Sequence, residues 1–179
     1  MSSRHRVPFG WLVGAALAVL AQPTSRSLLW ALPLAVAGEA IRLWASGHIE
    51  KTRRLATGGP YAHSRNPLYL GSLLIALAAA VASASPWVAL AVAAYFAAFY
   101  PAVIREEAAF LAAKFPQEYA AWAAAVPLAL PRLRPGGPRA SRFEWARVQA
   151  NREWRTALAL PLVAALIAAL PHLRRAVFP

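Results

Sequence analysis

Between residues 57 and 71 the chain reads Thr57-Gly58-Gly59-Pro60-Tyr61-Ala62-His63-Ser64-Arg65-Asn66-Pro67-Leu68-Tyr69-Leu70-Gly71. Three glycines and two prolines hold such a backbone in unusual φ/ψ and stop a helix from running through it. Its Tyr, His, Arg and Asn side chains supply donors, acceptors and aromatic faces, so the loop can grip a polar ligand. Two further groups carry chemistry. Arg105-Glu106-Glu107 places two carboxylates beside a cation, and Glu39 with Arg42 interrupts an otherwise apolar run. Glu39 and Arg42 are three apart, hence on one helix face, and are expected to pair. An ionisable pair inside a membrane span marks a functional site or else fixes helix packing. His48 and His63 are the near-neutral titratable groups close to the loop.

The elements that must position these residues are apolar helices. With 59% hydrophobic residues and no long polar region, a soluble globule of 179 residues would expose far too much apolar surface. Cysteine is absent, which excludes disulfides, thiolate metal sites and cysteine nucleophiles. Aspartate is also absent and the four histidines are scattered, so no metal site is expected. The net charge of +12, nearly all arginine, is grouped beside apolar segments. Anionic lipid headgroups are therefore the expected electrostatic partner, and nucleic acid is not.

Five apolar segments follow one another: 7–21, 28–46 with Pro33 inside it, 68–84, 87–104 and 156–173. The first is short for a span and has the basic-then-apolar layout of a signal peptide, but the second begins within six residues, as in a tight helical hairpin. The very short turn at 83–86 makes the third and fourth antiparallel neighbours. An all-α integral membrane protein of about five transmembrane helices in tight hairpins, with cytosolic amphipathic helices, is the expected fold. Trp30 and Trp87 fall at one membrane face and Trp11 and Trp44 near the other, as an aromatic belt would place them. Counting Lys and Arg puts the N-terminus, residues 47–66 and everything from Arg105 to Arg155 on one side. The two hairpin turns opposite hold only Arg26. The positive-inside rule makes the crowded side cytoplasmic, in a bacterial inner membrane, with Arg174 and Arg175 as minor dissent.

The single membrane domain 1–179 divides into a first hairpin (7–46), a core (47–131) and a C-terminal part (132–179). Residues 105–125 read as one amphipathic helix interrupted by Pro116, and 126–138, with four prolines, as a rigid linker. Ser141-Arg142-Phe143-Glu144 has the form of a capping box. It would open a helix whose Phe143, Ala146, Ala150 and Trp154 share one face flanked by arginines, an expected interfacial helix on anionic lipid.

With the loop and the acid pair together, the chain resembles the isoprenylcysteine carboxyl methyltransferase family and its relatives among phospholipid methyltransferases. That family's pattern is Gly-Pro-Tyr, three residues, Arg-His-Pro, one residue, Tyr, one residue, Gly, then a helical hairpin, Glu-Glu and an aromatic segment. Here it stands as Gly59-Pro60-Tyr61, Arg65-Asn66-Pro67, Tyr69, Gly71, Arg105-Glu106-Glu107, Phe115, Tyr119 and Val126-Pro127. The resemblance covers about residues 42–131 and rests on many fixed spacings. Asn66 replaces the family's His and cannot shuttle protons. By register from Leu111 and Phe115, Glu107 is the safer carry-over than Glu106.

The resemblance implies transfer of a methyl group from S-adenosylmethionine to a lipophilic acceptor arriving from the bilayer. It implies a cofactor site of His48, Gly59, Pro60, Tyr61, Arg65, Asn66, Pro67, Tyr69, Gly71, Glu106 and Glu107, with Glu39 and Arg42 toward the substrate. Glutamates suit the donor's cation and diol, Arg65, His48 and the Gly58-Gly59 amides its carboxylate, and the tyrosines its adenine or sulfonium. A carboxylate acceptor of the prenylcysteine type needs no base, only an orienting cation, for which Arg65 or Arg105 is the catalytic candidate. A phospholipid amine would need His48 or His63. The competing class is a non-catalytic transporter or assembly subunit, against which only the second segment's being charged tells.

Overall fold

The computed structural model of the chain describes residues 6–50, 53–138 and 141–177. Arg4, Lys51 and Arg139, which enter the charge count, lie outside the described residues, as does His5. Those residues form seven α-helices and no strand: α1 (Arg6–Leu20), α2 (Ser25–Ser46), α3 (Pro67–Ser83), α4 (Pro86–Lys114), α5 (Pro116–Ala125), α6 (Trp145–Ala150) and α7 (Trp154–Val177), with a 3-10 turn at Gly59–Ala62. This is the all-α membrane architecture expected. Of the five expected spans, α2, α4 and α7 are long and apolar enough to cross a bilayer, whereas α1 and α3 have only 15 and 17 residues. At 1.5 Å per residue those two reach roughly 22 and 25 Å, short of a hydrocarbon core of about 30 Å.

The chain divides into two compact units, one of Met1–Ala37, Leu73–Ala102 and Ala157–Pro179, the other of Gly38–Ser72 and Val103–Thr156. In the first, short polar turns tie apolar helices end to end. Thr24 Oγ1 accepts from Ser27 N and Ser27 Oγ accepts from Thr24 N, a reciprocal cap on the start of α2. Gln22 N donates to Ser83 O at 2.6 Å and Ser27 Oγ to Ala82 O at 2.9 Å, which joins this turn to the end of α3. The turn into α4 is tight enough to put Ala84 at φ 49°, and Pro86 then opens α4 with its fixed φ. Alanines at 31, 78 and 82 pack with Ile167, and Ala80 with Val88 and Val92. Outward, Trp11, Leu29, Trp30, Trp87, Leu90 and Leu162 are exposed. Large side chains standing out on apolar helices suit a hydrocarbon surrounding, which is why so apolar a chain needs no larger interior.

The second unit differs from expectation at two elements. Residues 105–114 are no separate amphipathic helix, because α4 runs unbroken through the acid pair to Lys114. Phe115 leaves helical geometry at φ −130°, ψ 61°, as a residue before proline must, and Pro116 starts the ten-residue α5. The capping box does not form either. Ser141 Oγ instead accepts the amide of Gly58 at 2.9 Å, and α6 begins only at Trp145 with no side-chain cap. Glu144 is ion-paired to Arg147 at 2.9 Å. The expected interfacial helix is thus six residues long, with Val148 buried and Trp154 belonging to α7.

Candidate functional site

The loop is fixed by contacts from every side of the second unit. Gly59 has φ +55°, and a Cβ there would collide with the His48 imidazole, so both the backbone and the close approach require glycine. His48 is buried and its Nδ1 donates to Trp44 O at 2.9 Å. Trp122 of α5, 1% exposed, donates its indole N–H to Tyr61 O at 2.8 Å. The proline-rich stretch after α5 is laced to the loop: Arg65 N donates to Pro127 O, Ser64 Oγ to Ala129 O, Asn66 Nδ2 to Leu128 O and His63 Nδ1 to Arg132 O. Asn66 is thereby accounted for. It is buried and its amide closes the loop at 2.7 Å, a task that needs a donor and no proton transfer.

These constraints leave a cavity of about 230 Å³ lined by Tyr61, Arg65, Glu107, Glu50, Arg54 and the apolar side chains of Ile49, Leu55, Ala56, Phe110, Leu111, Phe115 and Trp122. Tyr61, Arg65 and Glu107 therefore share one hollow. Arg65 NH1 donates to Tyr119 OH at 2.8 Å, with the guanidinium carbon 5.6 Å from that ring's centre. Its Nε is buried and has no hydrogen-bond partner among the described residues, an unspent donor in the site. Burial, reinforced by the Glu107 charge, pushes the Tyr61 phenol well above its ordinary value, so it stays a neutral hydroxyl. A second cavity of about 240 Å³, lined by His48, Glu50, Arg54, Leu55, Glu118, Ser141 and Arg147, shares Glu50, Arg54 and Leu55 with the first.

Residues 10–118 match the family model of phospholipid methyltransferases. The chain belongs to that family. It is a membrane methyltransferase. No curated protein and no solved structure matches it.

Within this methyltransferase the other expected site residues are placed elsewhere. Pro60 is buried in the 3-10 turn, Pro67 begins α3, and Tyr69 is half-buried on that helix's first turn. Gly71 is buried where α3 meets α2: a Cβ would lie 2.6 Å from both Arg42 Cγ and Gly38 O. None of these four lines either cavity, nor do Arg105 and Glu106, which are exposed on α4. Glu39 and Arg42 do not pair. Arg42 donates through Nε to Glu153 at 2.7 Å, places NH2 2.6 Å from the same oxygen, and donates through NH1 to Ser72 Oγ at 2.5 Å. A carboxylate arriving from the C-terminal part outcompetes one on the same helix, because it meets the guanidinium along its donor directions. Both oxygens of Glu39 are buried without a hydrogen-bond partner among the described residues.

Several residues of the site were not anticipated. Tyr119 and Trp122, three apart on α5, were visible as an aromatic face but carried no sign of contact with Arg65 and Tyr61. Glu50 and Arg54, four apart, belong to the polar stretch before the loop and match no motif. Ser141, Arg147 and Glu153 lie beyond the family match; Ser141 carried only a capping signal, and Arg147 and Glu153 carried none.

Proposed function

We propose that the chain is an S-adenosylmethionine-dependent methyltransferase whose cofactor lies in the Tyr61–Arg65–Glu107 cavity and whose acceptor is lipophilic and arrives from the bilayer. The observation that carries this reading is the convergence of those three side chains on one hollow, with the Arg65 Nε left unpartnered. The residues fit the group. Phe110, Leu111, Phe115 and Trp122 offer an apolar, aromatic bed for a purine, and Glu107 offers an acceptor for a diol or cation. When bound, S-adenosylmethionine supplies a methyl carbon on a positively charged sulfur, which leaves with the C–S bonding pair as a neutral thioether.

The protein's own part is alignment and exclusion of water, since charge shrinks as a carboxylate attacks such a centre. Arg65, with a free buried donor, orients an acceptor carboxylate of the prenylcysteine type. Its fork is steadied by Tyr119, and no general base is required. Arg105, the other candidate for that task, lies off the cavity. A phospholipid amine would instead need a proton acceptor, and neither imidazole lines the first cavity. The charge count supports a cytoplasmic position for the loop in a bacterial inner membrane. Titration of the detergent-purified chain with S-adenosylmethionine tests the proposal. Saturable binding is expected, weakened at least about tenfold by Glu107→Ala and by Arg65→Ala; absence of saturation, or indifference to both changes, contradicts it.

A further inference from the structure

The first unit carries a hollow that the loop and its chemistry do not use. It lies between α2, α3 and α7, has a volume of about 370 Å³, and every residue lining it is Ala, Leu, Ile or Val. Ala31, Ala78, Ala82 and Ile167 are buried and pack together as its floor, while Leu32 and Val163, which also line it, are exposed, so it opens to the side. A methylene group fills roughly the 30 Å³ that a water molecule takes in the liquid, so the space holds on the order of a dozen chain carbons. With no polar partner it cannot hold ordered water, and left empty it forfeits the contacts of its lining. Side chains of α7 do not make up the loss: of its described residues only Ile167 and Leu170 are buried.

The second observation is electrostatic. All seven carboxylate side chains of the chain are glutamates between Glu39 and Glu153, and all belong to the other unit, so the first unit has none of its own. It nevertheless carries Arg174 and Arg175 in the last turn of α7. Arg174 donates through NH1 to Ala21 O at 2.6 Å and through NH2 to Ala18 O at 2.7 Å, capping the end of α1. That contact brings the basic end of α7 to the turn between α1 and α2. The hollow reaches toward the same end, because Leu28 and Ala82 line it and Ser27 Oγ donates to Ala82 O. Arg175 is exposed and has no ion pair among the described residues. Ala164 and Ala168 line the hollow, and Arg175 follows them four and then seven positions on, hence on the same face of α7.

We propose that the hollow holds one acyl chain of an anionic phospholipid whose phosphate lies against Arg175. The guanidinium calls for an anion that no side chain of its unit supplies, and the lining calls for a hydrocarbon chain. The lipid joins α7 to α2 and α3 where alanine leaves the space unfilled. Neither the methyl donor nor the methyl acceptor enters this inference, and a phosphatidylglycerol offers no carboxylate or amine to be methylated. The two arginines that dissent from the positive-inside count thereby have tasks of their own, one as a helix cap and one as a lipid anchor.

Native mass spectrometry of the full detergent-purified chain, titrated with phosphatidylglycerol and with phosphatidylcholine of the same acyl chains, tests the site. Wild type should retain phosphatidylglycerol roughly fivefold more tightly, the effect of one guanidinium beside an anionic head. Arg175→Gln should abolish that preference and leave phosphatidylcholine unchanged. Arg26→Gln removes a charge two residues from Leu28, on the far side of α2, and should change neither lipid. Ala164→Leu and Ala35→Leu, at lining positions that are not fully enclosed, fill the hollow and should weaken both lipids. Should the filled variants not fold, the Arg175→Gln comparison still decides. Equal retention of the two lipids by wild type, a preference that survives Arg175→Gln, or undiminished binding in both folded, filled variants overturns the proposal. A dimer abolished by Ala164→Leu would give the hollow to a second copy of the chain and overturn it as well.

Discussion

Tyr61 shows at the scale of a residue how burial and charge serve one another. Its phenol is enclosed and faces Glu107, so it is kept neutral where an exposed tyrosine would begin to ionise near 10.0. The sign of the linkage follows. The folded value lies above the unfolded one, so the stabilisation is complete below about pH 10 and is lost as pH rises beyond it, because the unfolded chain releases its proton first. Alkaline thermal melts in detergent should lose up to about 1.4 kcal/mol per pH unit from this group, and Tyr61→Phe should flatten that slope. A variant as steep as wild type would show that Tyr61 is not buried beside the charge. Glu107 itself was legible in the sequence from its register to Leu111 and Phe115, whereas Tyr119 as the partner of Arg65 was not. Spacing reports which residues share a helix face, and it is silent about which loop that face will meet.

At the scale of elements, the C-terminal segment matters more than its sequence pattern suggested. A serine followed three residues later by glutamate signals a helix start only when nothing better is available to the hydroxyl. Here the Gly58 amide, 83 positions away, is better. The same holds for Arg42, whose nearest carboxylate in sequence is Glu39 but whose partner is Glu153, 111 positions away. Local rules recovered α1, α2 and α3 to within a few residues, because apolar runs and proline breaks are local, but stopped α4 at 104 where it continues to Lys114. The docking of 141–153 was illegible because it depends on tertiary competition. Glu153 is nearly enclosed, and its loss leaves a guanidinium without its charge partner. Glu153→Ala should therefore destabilise the protein by about 3–5 kcal/mol, read as a lowered melting temperature, and the paired replacement Arg42→Met with Glu153→Leu should recover most of it. Equal instability of the single and paired variants would mean that packing, not charge, sets the contact.

For the whole molecule, the orientation proposed from the positive-inside count places the loop in the cytoplasm. The 29-residue α4 extends roughly 43 Å, longer than a hydrocarbon core, so its charged last turns emerge on the side that carries the loop. Because the chain lacks cysteine, single cysteines report sidedness without background. In intact bacterial cells, Arg26→Cys should react with a membrane-impermeant maleimide, and Gln117→Cys should react only after the inner membrane is opened. The reverse pattern would invert the molecule and put the loop outside, away from cytoplasmic cofactor.

The central claim is that one hollow between the loop and α4–α5 holds the methyl donor. Ultraviolet crosslinking of radiolabelled S-adenosylmethionine to the purified chain, followed by peptide mapping, tests it most directly. Label confined to peptides containing Tyr61, Phe110, Phe115 or Trp122, and competed away by S-adenosylhomocysteine, is the predicted result; competable label on α1 or α7 would contradict it.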